Sequence, residues 1–389
     1  MIKGIKIMLI PNNKQTTKLF EYAGAKRFAY NWALAKQQEN YKNGGKFLND
    51  NILRKEFTQL KKLEEYEWLN NISNNVTKQA IKDCCNAFKR FFKGESKYPK
   101  FKSKKYSLPK FYQDTDKIQF TSTHVKFEGF SESKKRNKQQ LNWVRLSEHD
   151  RIPYGNDVKY INPRVSFDGL NWWISVGVEC EANTAIPQSE GIGIDLGIKD
   201  LAICSDENTY KNINKTKKVK KLEKKKRRLQ RQVSRKYENG REGNRYKKTK
   251  NIVKLENKLL KLNHKLTNIR HNYICQTTTE IIKREPSFIV MEDLNVAGMM
   301  KNKHLAKAIQ QQCFYELKKQ IQYKCNWNNI KFIEAPRFYP SSKTCSNCGC
   351  INKNLKLSDR TYICPECGFE IDRDYNASLN LLRYGQAVV

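Results

Sequence analysis

The sequence lacks any run of about 18 apolar residues, and it does not open with an apolar segment. The first absence excludes a transmembrane helix, and the second argues against a secretory signal peptide. We therefore expect a soluble, cytoplasmic protein. With 389 residues, the chain is long enough for two or three domains, each with its own core.

Acidic residues are scarce relative to basic ones. The 39 Asp and Glu face 75 Lys and Arg, which gives a formal net charge of +36. Such an excess would make an isolated globule repel itself, so it indicates a polyanionic partner, and nucleic acid is the simplest one. A basic protein that binds a membrane surface is the alternative class.

The twelve cysteines are distributed in a way that argues against a disulfide framework. Seven are scattered, and five lie close together near the C-terminus. We expect reduced thiols and one metal site instead.

Two cysteine pairs have the spacing of a zinc ribbon. Cys345 and Cys348 form the first pair, Cys364 and Cys367 the second, and 15 residues separate the pairs. Each pair predicts a knuckle that holds two thiolates, and four thiolates close a tetrahedron around one structural zinc ion. We expect Cys350 to be a bystander.

The first 115 residues indicate one strand followed by helices. Residues 2–10 alternate as in a strand, and a helix capped by Thr16 or Thr17 is expected next. Its apolar face holds Leu19, Ala23, Tyr30 and Leu34. Arg27 interrupts that face, either as a polar edge or as a side chain that reaches toward phosphate. A second helix should follow Ser73.

Two further patterns lie between the second helix and residue 180. The segment RFFKGESKYPKFKSKK interleaves basic and aromatic residues, which suits phosphate contacts and base stacking, although a solvated basic tail is equally compatible. From Asp116 to Cys180, short alternating segments with a turn at Asp168-Gly169 predict a small antiparallel barrel or sheet. Residues 2–10 could add a strand to it. Ser131 to Gln140 is a polar, Lys-rich loop.

The region from Lys215 to Lys250 is the most charged, with 18 Lys or Arg against three Glu. An apolar seam at heptad-like spacing runs through it and continues to Tyr273, which predicts two antiparallel helices joined through Asn239-Gly240. A solvated coiled hairpin is one interpretation. The charge density favours contact with nucleic acid.

The C-terminal half alternates strands with helices. Gly191 to Asp206 predicts two antiparallel strands, and a later strand ends in Glu292 and Asp293. A helix from about His304 to Trp327, a strand over 330–335 and a last helix near Asp374 complete the pattern.

Three acids distant in sequence, Asp195, Glu292 and Asp374, are candidates for one metal site. An RNase H-like sheet would bring them together, and their charges would repel strongly unless cations are bound. Oxygen ligands favour Mg²⁺, and two ions about 3.5–4 Å apart would activate water and stabilise the leaving oxygen of a phosphodiester. Asp293 and Asp372 are rival acids. Asp195 could instead meet solvent at a strand end, and Asp374 could cap a helix.

Five segments of the chain together carry a family resemblance. They are GIDLGIKDLA, IVMEDLNV, YPSSKTCSNCG, RTYICPECG and DRDYNASLN. In this order they resemble the TnpB family, RNA-guided nucleases that insertion sequences encode and that are related to type V CRISPR effectors. YAGAKRFAYNWAL and FFKGESKYPKFKSKK also resemble family segments. The nuclease-inactive derivatives of the family are a poor match, because all three acids are present.

The resemblance implies an α+β multidomain fold. It combines an RNase H-like (RuvC) nuclease domain carrying a zinc-ribbon insertion with a β-barrel wedge domain and a helical recognition domain. The implied divisions are 1–13 (first wedge strand), 14–115 (recognition), 116–185 (wedge barrel), 186–343 (RuvC with the basic hairpin), 344–368 (zinc-ribbon insertion that binds target nucleic acid) and 369–389 (last RuvC part). The loop over 131–140 and Cys350 have no role in this scheme.

The implied activity is RNA-guided, Mg²⁺-dependent cleavage of double-stranded DNA next to a short flanking motif. Asp195, Glu292 and Asp374 match the three catalytic, magnesium-binding acids, and a single RuvC site would cut both strands. The partners would be a transposon-derived guide RNA and target DNA, with a monomer or dimer on the RNA, associated with the nucleoid. A transposase or a nonenzymatic RNA-guided DNA-binding regulator is the alternative.

Overall fold

The computed structural model describes residues 1–131, 140–155, 157–181, 189–243, 245–356 and 358–389. They fall into an N-terminal unit, Met1–Glu181, and a C-terminal unit, Ala182–Val389. The predicted loop over 131–140 lies almost wholly outside the described residues, as does the expected boundary at 185–186. In the part of the chain that is described, no helix combines the length and apolarity needed to cross a membrane.

The described residues of the N-terminal unit form seven antiparallel strands. They are β1 (Ile2–Ile10), β2 (Lys110–Tyr112), β3 (Gln119–Phe120), β4 (His124–Lys126), β5 (Trp143–Leu146), β6 (Tyr160–Phe167) and β7 (Trp172–Glu179). The sheet order is β2-β6-β7-β1-β5-β4-β3. Strand β1 pairs with β7 and β5, which confirms that residues 2–10 belong to this sheet.

The same sheet corrects the prediction of a barrel. Among the described strands, β2 and β3 are the two edges and do not pair with each other. They are three and two residues long, so they offer few backbone groups for closure. The predicted turn between β6 and β7 is confirmed, because the Asp168 carboxylate accepts hydrogen bonds from the backbone N–H groups of Leu170 and Asn171 at 2.8 and 2.7 Å.

Helices cover the sheet of the N-terminal unit. They are α1 (Asn13–Lys42), α2 (Asp50–Leu60), a 3-10 helix (Glu64–Asn71) and α3 (Asn74–Phe92). Asn12 caps α1 through a capping box with Gln15, so the predicted caps Thr16 and Thr17 are wrong. Helix α3 follows Ser73 as predicted, and Ser73 is its N-cap. Buried residues of helices and sheet form one core.

The C-terminal unit contains a five-stranded sheet and two short ribbons. The strands are β8 (Ile192–Leu196), β9 (Asp200–Cys204), β10 (Thr209–Lys211), β11 (Arg241–Glu242), β12 (Arg245–Tyr246), β13 (Phe288–Glu292), β14 (Lys331–Ala335), β15 (Thr361–Ile363) and β16 (Glu370–Asp372). The main sheet has the order β10-β9-β8-β13-β14. Strands β8, β13 and β14 are parallel, whereas β9 is antiparallel to β8 and to β10.

Helices lie on both faces of this sheet. They are α4 (Lys217–Asn239), α5 (Lys250–Ile282), α6 (Val296–Met299), α7 (Ala306–Gln312), α8 (Phe314–Trp327) and α9 (Arg373–Val388). Alternate residues of β13 point to opposite faces: Ile289 packs with residues of α5 and α8, and Val290 packs with Leu381 of α9. The five strands and the three helices that cover them are the scaffold of the site described below.

Two sequence-based boundaries need correction. The predicted helix over 304–327 is two helices, because Cys313 adopts a left-handed conformation with φ 54° that no α-helix can contain. The basic helices α4 and α5 are joined by the ribbon β11–β12, in which Arg241 faces Tyr246, and not by a direct turn at Asn239-Gly240. Gly240 ends α4.

Glycine allows α9 to lie directly on the sheet. A Cβ at Gly193 in β8 would lie 2.1 Å from the backbone oxygen of Ser378 and 2.5 Å from the backbone nitrogen of Leu382. A Cβ at Gly385 would lie 2.3 Å from the Phe288 ring. Both positions therefore require glycine, and the close packing brings the start of α9 toward the C-terminal end of β8.

Candidate active site and metal centre

Three elements bring the predicted acids to one edge of the sheet. Ile194 of β8 pairs in parallel with Met291 of β13, so the next residues, Asp195 and Glu292, are neighbours on adjacent strands. Asp374 lies in the first turn of α9, which packs against β8. The fold thus unites side chains that are separated by about 100 and 80 positions in the sequence.

The electrostatics of Asp195 reflect this convergence. Burial raises its pKa well above the ordinary value, and the charges of Glu292 and Asp374 raise it further, while Arg373 opposes the shift. Burial also raises the pKa of Glu292, against a hydrogen bond that the Ser341 hydroxyl donates to its carboxylate. Negative charge at this edge of the sheet is therefore disfavoured unless positive charge is supplied.

Asp374 already has two cationic neighbours. Its carboxylate is 2.6 Å from the guanidinium of Arg373 and 3.7 Å from that of Arg360. The side chain does not cap the helix, because Asp372 accepts the hydrogen bonds of the backbone N–H groups of Asp374 and Tyr375 at 3.0 and 3.1 Å. The alternative that Asp374 serves as the N-cap is therefore wrong.

The rival acids have structural partners. Asp372 is the N-cap of α9. Asp293 lies 2.5 Å from Arg337 and 3.6 Å from Lys318, and the hydrogen bond from Arg337 lowers its pKa, in the opposite direction to that of Glu292. Of two consecutive carboxylates, one is thus neutralised by cations and the other is buried beside Asp195.

Three buried polar residues, which the sequence did not single out, support the acids. Ser341 is 3 % exposed and holds Glu292, while the Asn380 amide donates to the Ser341 carbonyl at 2.8 Å. The Asn376 amide donates to the Thr344 carbonyl at 2.7 Å. Asn376 and Asn380 follow Asp374 by two and six residues on the same helix. This spacing is a signal in the sequence that could have identified both amides, because buried polar groups need partners.

The spacing of the carboxylates differs from that of the cysteines. Among the described residues, the four cysteines are the only group of three or more His, Cys, Asp or Glu whose ligand atoms all lie within 4.8 Å of one another. The three acids do not form such a group, although the charges of Glu292 and Asp374 both act on Asp195.

The four cysteines have the geometry of a closed tetrahedral site. The Sγ atoms of Cys345 and Cys367 are 3.8 Å apart, and those of Cys348 and Cys364 are 3.5 Å apart. Zinc–sulfur bonds of about 2.3 Å give tetrahedral edges of about 3.8 Å. The donor set therefore fits one zinc ion without an open coordination position. Cys350 is outside the group, as expected.

The backbone around the cysteines has the form of two knuckles. Gly349 and Gly368 follow the second cysteine of each pair with φ of 80° and 67°, which glycine adopts readily. Hydrogen bonds from the backbone N–H groups of Cys367 and Glu366 lower the pKa of Cys364 to about 6. The hydrogen bond with Cys364 raises the pKa of Cys348, so in this metal-free pair Cys364 is the thiolate and Cys348 the thiol.

The first knuckle is tied to the helix that carries Asp374. The backbone N–H of Ser346, between the cysteines of the first pair, donates to the Asn376 side chain at 2.9 Å. Arg373, the first residue of α9, donates to the Asp359 carbonyl at 2.9 Å in the segment between the pairs. The cysteine cluster and the acidic edge are thus connected through residues next to Asp374.

The basic hairpin extends from the same unit. Apart from Val219, the side chains of α4 are half-buried or exposed, and Arg270 of α5 makes an ion pair with Glu223 at 2.7 Å. Most of the lysines and arginines of α4 therefore face solvent, as the sequence predicted.

Three family models match this chain and together cover more than half of it. "Helix-turn-helix domain" matches residues 1–46, "Probable transposase" matches 174–303, and "Cas12f1-like, TNB domain" matches 314–381. The segment 1–46 here contains strand β1 and the single long helix α1, so the description helix-turn-helix does not fit its structure.

Similar proteins and structures extend these matches. The "Putative RNA-guided DNA endonuclease InsQ" of Escherichia coli K12 is 29 % identical, over 100 % of this chain and 93 % of that protein. "TnpB-like protein L79" of Acanthamoeba polyphaga mimivirus is 51 % identical over 12 % of this chain and 9 % of that protein. The "Cryo-EM structure of the Cas12f1-sgRNA-target DNA complex" has the same mixed α/β fold, with a TM-score of 0.61 at 14 % identity over 98 % of both chains. On these matches, the chain belongs to the TnpB family.

Proposed function

We propose that this protein is an RNA-guided, Mg²⁺-dependent endonuclease that cleaves double-stranded DNA. The observation that carries the proposal is the convergence of Asp195, Glu292 and Asp374 at one edge of the five-stranded sheet. The order of that sheet, with one antiparallel strand inside it, supports an RNase H-like nuclease of the RuvC type. The relatives named as RNA-guided DNA endonucleases support the same activity.

The three acids would hold two Mg²⁺ ions. When bound, these ions supply an activated water and a Lewis acid for the leaving oxygen. Asp195, on which the charges of both other acids act, would be a ligand of these ions, which requires that its carboxylate lose its proton. The Ser341 hydroxyl orients the Glu292 carboxylate. The guanidinium groups of Arg373 and Arg360 lie close enough to neutralise the charge of Asp374.

The four cysteines would hold one structural zinc ion in a ribbon that binds target nucleic acid. The knuckle geometry and the lowered pKa of Cys364 support this assignment. Because Ser346 contacts Asn376, a folded ribbon also helps to fix the start of α9. Zinc would therefore act on catalysis only indirectly, through the position of Asp374.

Guide RNA would supply the sequence specificity. A net charge of +36 suits an RNA scaffold with a DNA target far better than a small substrate. Base pairing reads the target in such complexes, and the protein reads a short flanking motif. One acidic site would then cut the displaced strand and the target strand in turn. We propose the divisions of the chain given by the family resemblance as the functional domains, with an open seven-stranded sheet in place of the expected barrel.

The experiment begins with the RNA that copurifies with the full-length protein. Its 3′ end is sequenced to identify the guide, and a plasmid is built with the matching target beside a randomised flank. The proposal predicts Mg²⁺-dependent linearisation of plasmids with one subset of flanks. No cleavage by an RNA-loaded protein at any flank would contradict it.

A matched pair of variants assigns the reaction to the acidic site. Glu292→Gln should lower the cleavage rate more than about a hundredfold, because loss of a metal ligand exceeds the 10- to 100-fold cost of losing an outer partner. Asp293→Asn changes the adjacent carboxylate, whose partners are Arg337 and Lys318, and should stay within a few-fold of wild type. Equal activity of the two variants would remove Glu292 from the site.

The description "Probable transposase" favours DNA strand transfer as a second candidate. Joined DNA ends, produced by purified protein without RNA, would support that activity. A nonenzymatic RNA-guided regulator is less well supported, because all three acids are present and converge. A single Mg²⁺-dependent nick that Glu292→Gln abolishes would exclude it.

A further inference from the structure

Helix α1 buries a lysine that has no anionic partner of its own. Lys26 is 8 % exposed, and among the residues described no hydrogen bond or ion pair of its ammonium group is found. The ammonium lies 5.2 Å from the centre of the Tyr30 ring. Burying a charge without a partner costs stability, and burial lowers the pKa of Lys26 to about 8. The residue needs an explanation other than packing.

The groups around Lys26 are mostly cationic. Lys102, Lys110 and Arg164 all act on its ammonium unfavourably, and Asp83 is the one carboxylate that favours its charge. Asp83 is itself engaged by Arg164 at 3.1 Å. The four basic residues come from four separate segments, which are α1, the segment after α3, β2 and β6.

Specific contacts hold this arrangement in place. The side chain of Asn31 exchanges two hydrogen bonds of 2.8 Å with the backbone of Lys102, which fixes the segment after α3 on α1. The Lys102 ammonium then lies 5.1 Å from the centre of the same Tyr30 ring. Arg164 stacks over Tyr112 at 5.3 Å. The rim of the cluster is accessible, because Lys102 and Arg164 are half-buried and Lys110 is exposed.

We propose that Lys26, Lys102, Lys110 and Arg164 form a binding site for one backbone phosphate of a nucleic acid. A phosphate supplies the negative charge that the protein does not, and charge-assisted hydrogen bonds to it compensate for burying the Lys26 ammonium. The site lies far along the sequence from the acidic site, in the other unit of the chain. It deepens the proposed function, on which the choice of a nucleic acid as ligand rests.

Exposed aromatic rings beside the cluster favour a polynucleotide over a free anion. Phe101 and Tyr106, on either side of Lys102, are 55 % and 82 % exposed. The Lys105 ammonium lies 5.2 Å from the centre of the Tyr106 ring. Rings presented to solvent among lysines stack on unpaired bases, while the lysines follow the phosphates. The segment that the sequence marked as basic and aromatic thus flanks a built phosphate site.

The test measures binding without cleavage. Full-length protein, stripped of copurifying RNA and kept in EDTA, is titrated into a fluorescein-labelled single-stranded 20-mer, as RNA and as DNA of the same sequence, at several salt concentrations. The variants are Lys26→Met, Lys102→Ala and the control Lys36→Met. Lys36 lies on the same helix and pairs with Glu39 at 2.9 Å outside the cluster.

Lys26→Met and Lys102→Ala should each weaken binding about tenfold at 0.15 M salt, as for a lost charge-assisted hydrogen bond. Each should reduce the slope of log K against log salt by about 0.7, the value for one phosphate of a single strand. Lys36→Met should change neither quantity. Loss with the RNA probe alone identifies the guide as the source of the phosphate, and loss with the DNA probe identifies the target.

The proposed phosphate site would be contradicted if both cluster variants bound both probes with the affinity and the salt dependence of the wild type. A melting curve of each variant shows whether it is folded. If Lys26→Met does not fold, Lys102→Ala alone still tests the site. The proposed nuclease activity can fail without affecting this result, because no step of the titration needs Mg²⁺. Conversely, proven cleavage together with unchanged slopes would remove only the phosphate site.

Discussion

The two units of this chain bury charges of opposite sign. The N-terminal unit encloses the ammonium of Lys26 among further cations, and the C-terminal unit places Asp195 beside two other carboxylates. In both places burial works against the charged form, and like charges nearby add to the effect. Within the part of the chain that the structure describes, neither side chain has an ion pair that would compensate for its burial.

The comparison shows how a buried charge indicates a ligand. In a structural ion pair, such as that between Arg270 and Glu223, the two charges neutralise each other and no external ion is needed. An incomplete cluster needs an external ion of the opposite sign, and we propose a metal cation for the acids and a phosphate for the lysines. The cysteine cluster is a third type, because its four thiolates already have tetrahedral spacing and leave no position for a substrate.

The acidic cluster gives the largest expected effect. Asp195→Asn should reduce Mg²⁺-dependent cleavage more than about a hundredfold, since it would remove a charged metal ligand. The same change should raise the melting temperature of the metal-free protein at pH 8 by about 2 °C or more. The raised pKa of Asp195 means that its charge costs stability above that pKa, so the gain should shrink as the pH is lowered. If Asp195→Asn melted at a lower temperature than the wild type at pH 8, the charge of Asp195 would not be destabilising and the comparison of the two units would fail.

The cysteine cluster should respond differently. Cys364→Ser should remove the zinc and lower both the melting temperature and the binding of target DNA, because loss of a structural metal removes folding free energy. Cys350→Ser is the control and should keep one zinc per chain. Metal analysis of both proteins checks this. An unchanged zinc content in Cys364→Ser would contradict the four-thiolate site.

The positioning of Glu292 can be tested by a smaller change. Ser341→Ala should lower the cleavage rate about 10- to 100-fold, as for other outer partners of metal ligands, and should raise the Mg²⁺ concentration needed for half-maximal rate. Ser341→Thr keeps the hydroxyl and should recover part of the loss. A rate change in Ser341→Ala without a change in Mg²⁺ dependence would mean that the hydroxyl does not act through the metal site.

Much of the C-terminal unit could be predicted from the sequence. Strands β8, β9, β13 and β14 have short apolar runs with clear ends, and the cysteine pairs define their own spacing. The break at Cys313 was not visible, because a left-handed cysteine is imposed by tertiary packing and not by local preference. Ser341 and Asn380 were missed for a similar reason, since hydrogen bonds across 39 residues leave no periodic pattern.

The N-terminal unit was harder to predict. The sequence drew attention to Arg27 on the apolar face of α1, whereas the structure buries its neighbour Lys26. A rotation of 100° per residue separates the two side chains, and only the packing of α3 and β2 against α1 decides which one is enclosed. Thr16 and Thr17 are residue types typical of an N-cap, but Asn12 is the N-cap of α1 because its side chain and that of Gln15 form a capping box.

The smallest expected effect completes the comparison between the two units. Lys26→Met should raise the melting temperature at pH 7 by about 2 °C or more, because the pKa of about 8 shows that the buried charge opposes folding. Because the pKa of Lys26 is lowered on folding, the gain in melting temperature should be largest below about pH 8. The gain should disappear toward pH 10.5, where the lysine of the unfolded chain also loses its proton. Asp83, Lys102, Lys110 and Arg164 are the charged groups that act on Lys26. A gain independent of pH would indicate better packing alone.

The most direct test of the central claim is a structure of the RNA-loaded protein with Mn²⁺ in place of Mg²⁺, recorded with anomalous scattering. The account predicts two manganese peaks about 3.5–4 Å apart, bound by Asp195, Glu292 and Asp374. A protein that cleaves DNA in Mn²⁺ but shows no metal at these three carboxylates would contradict it.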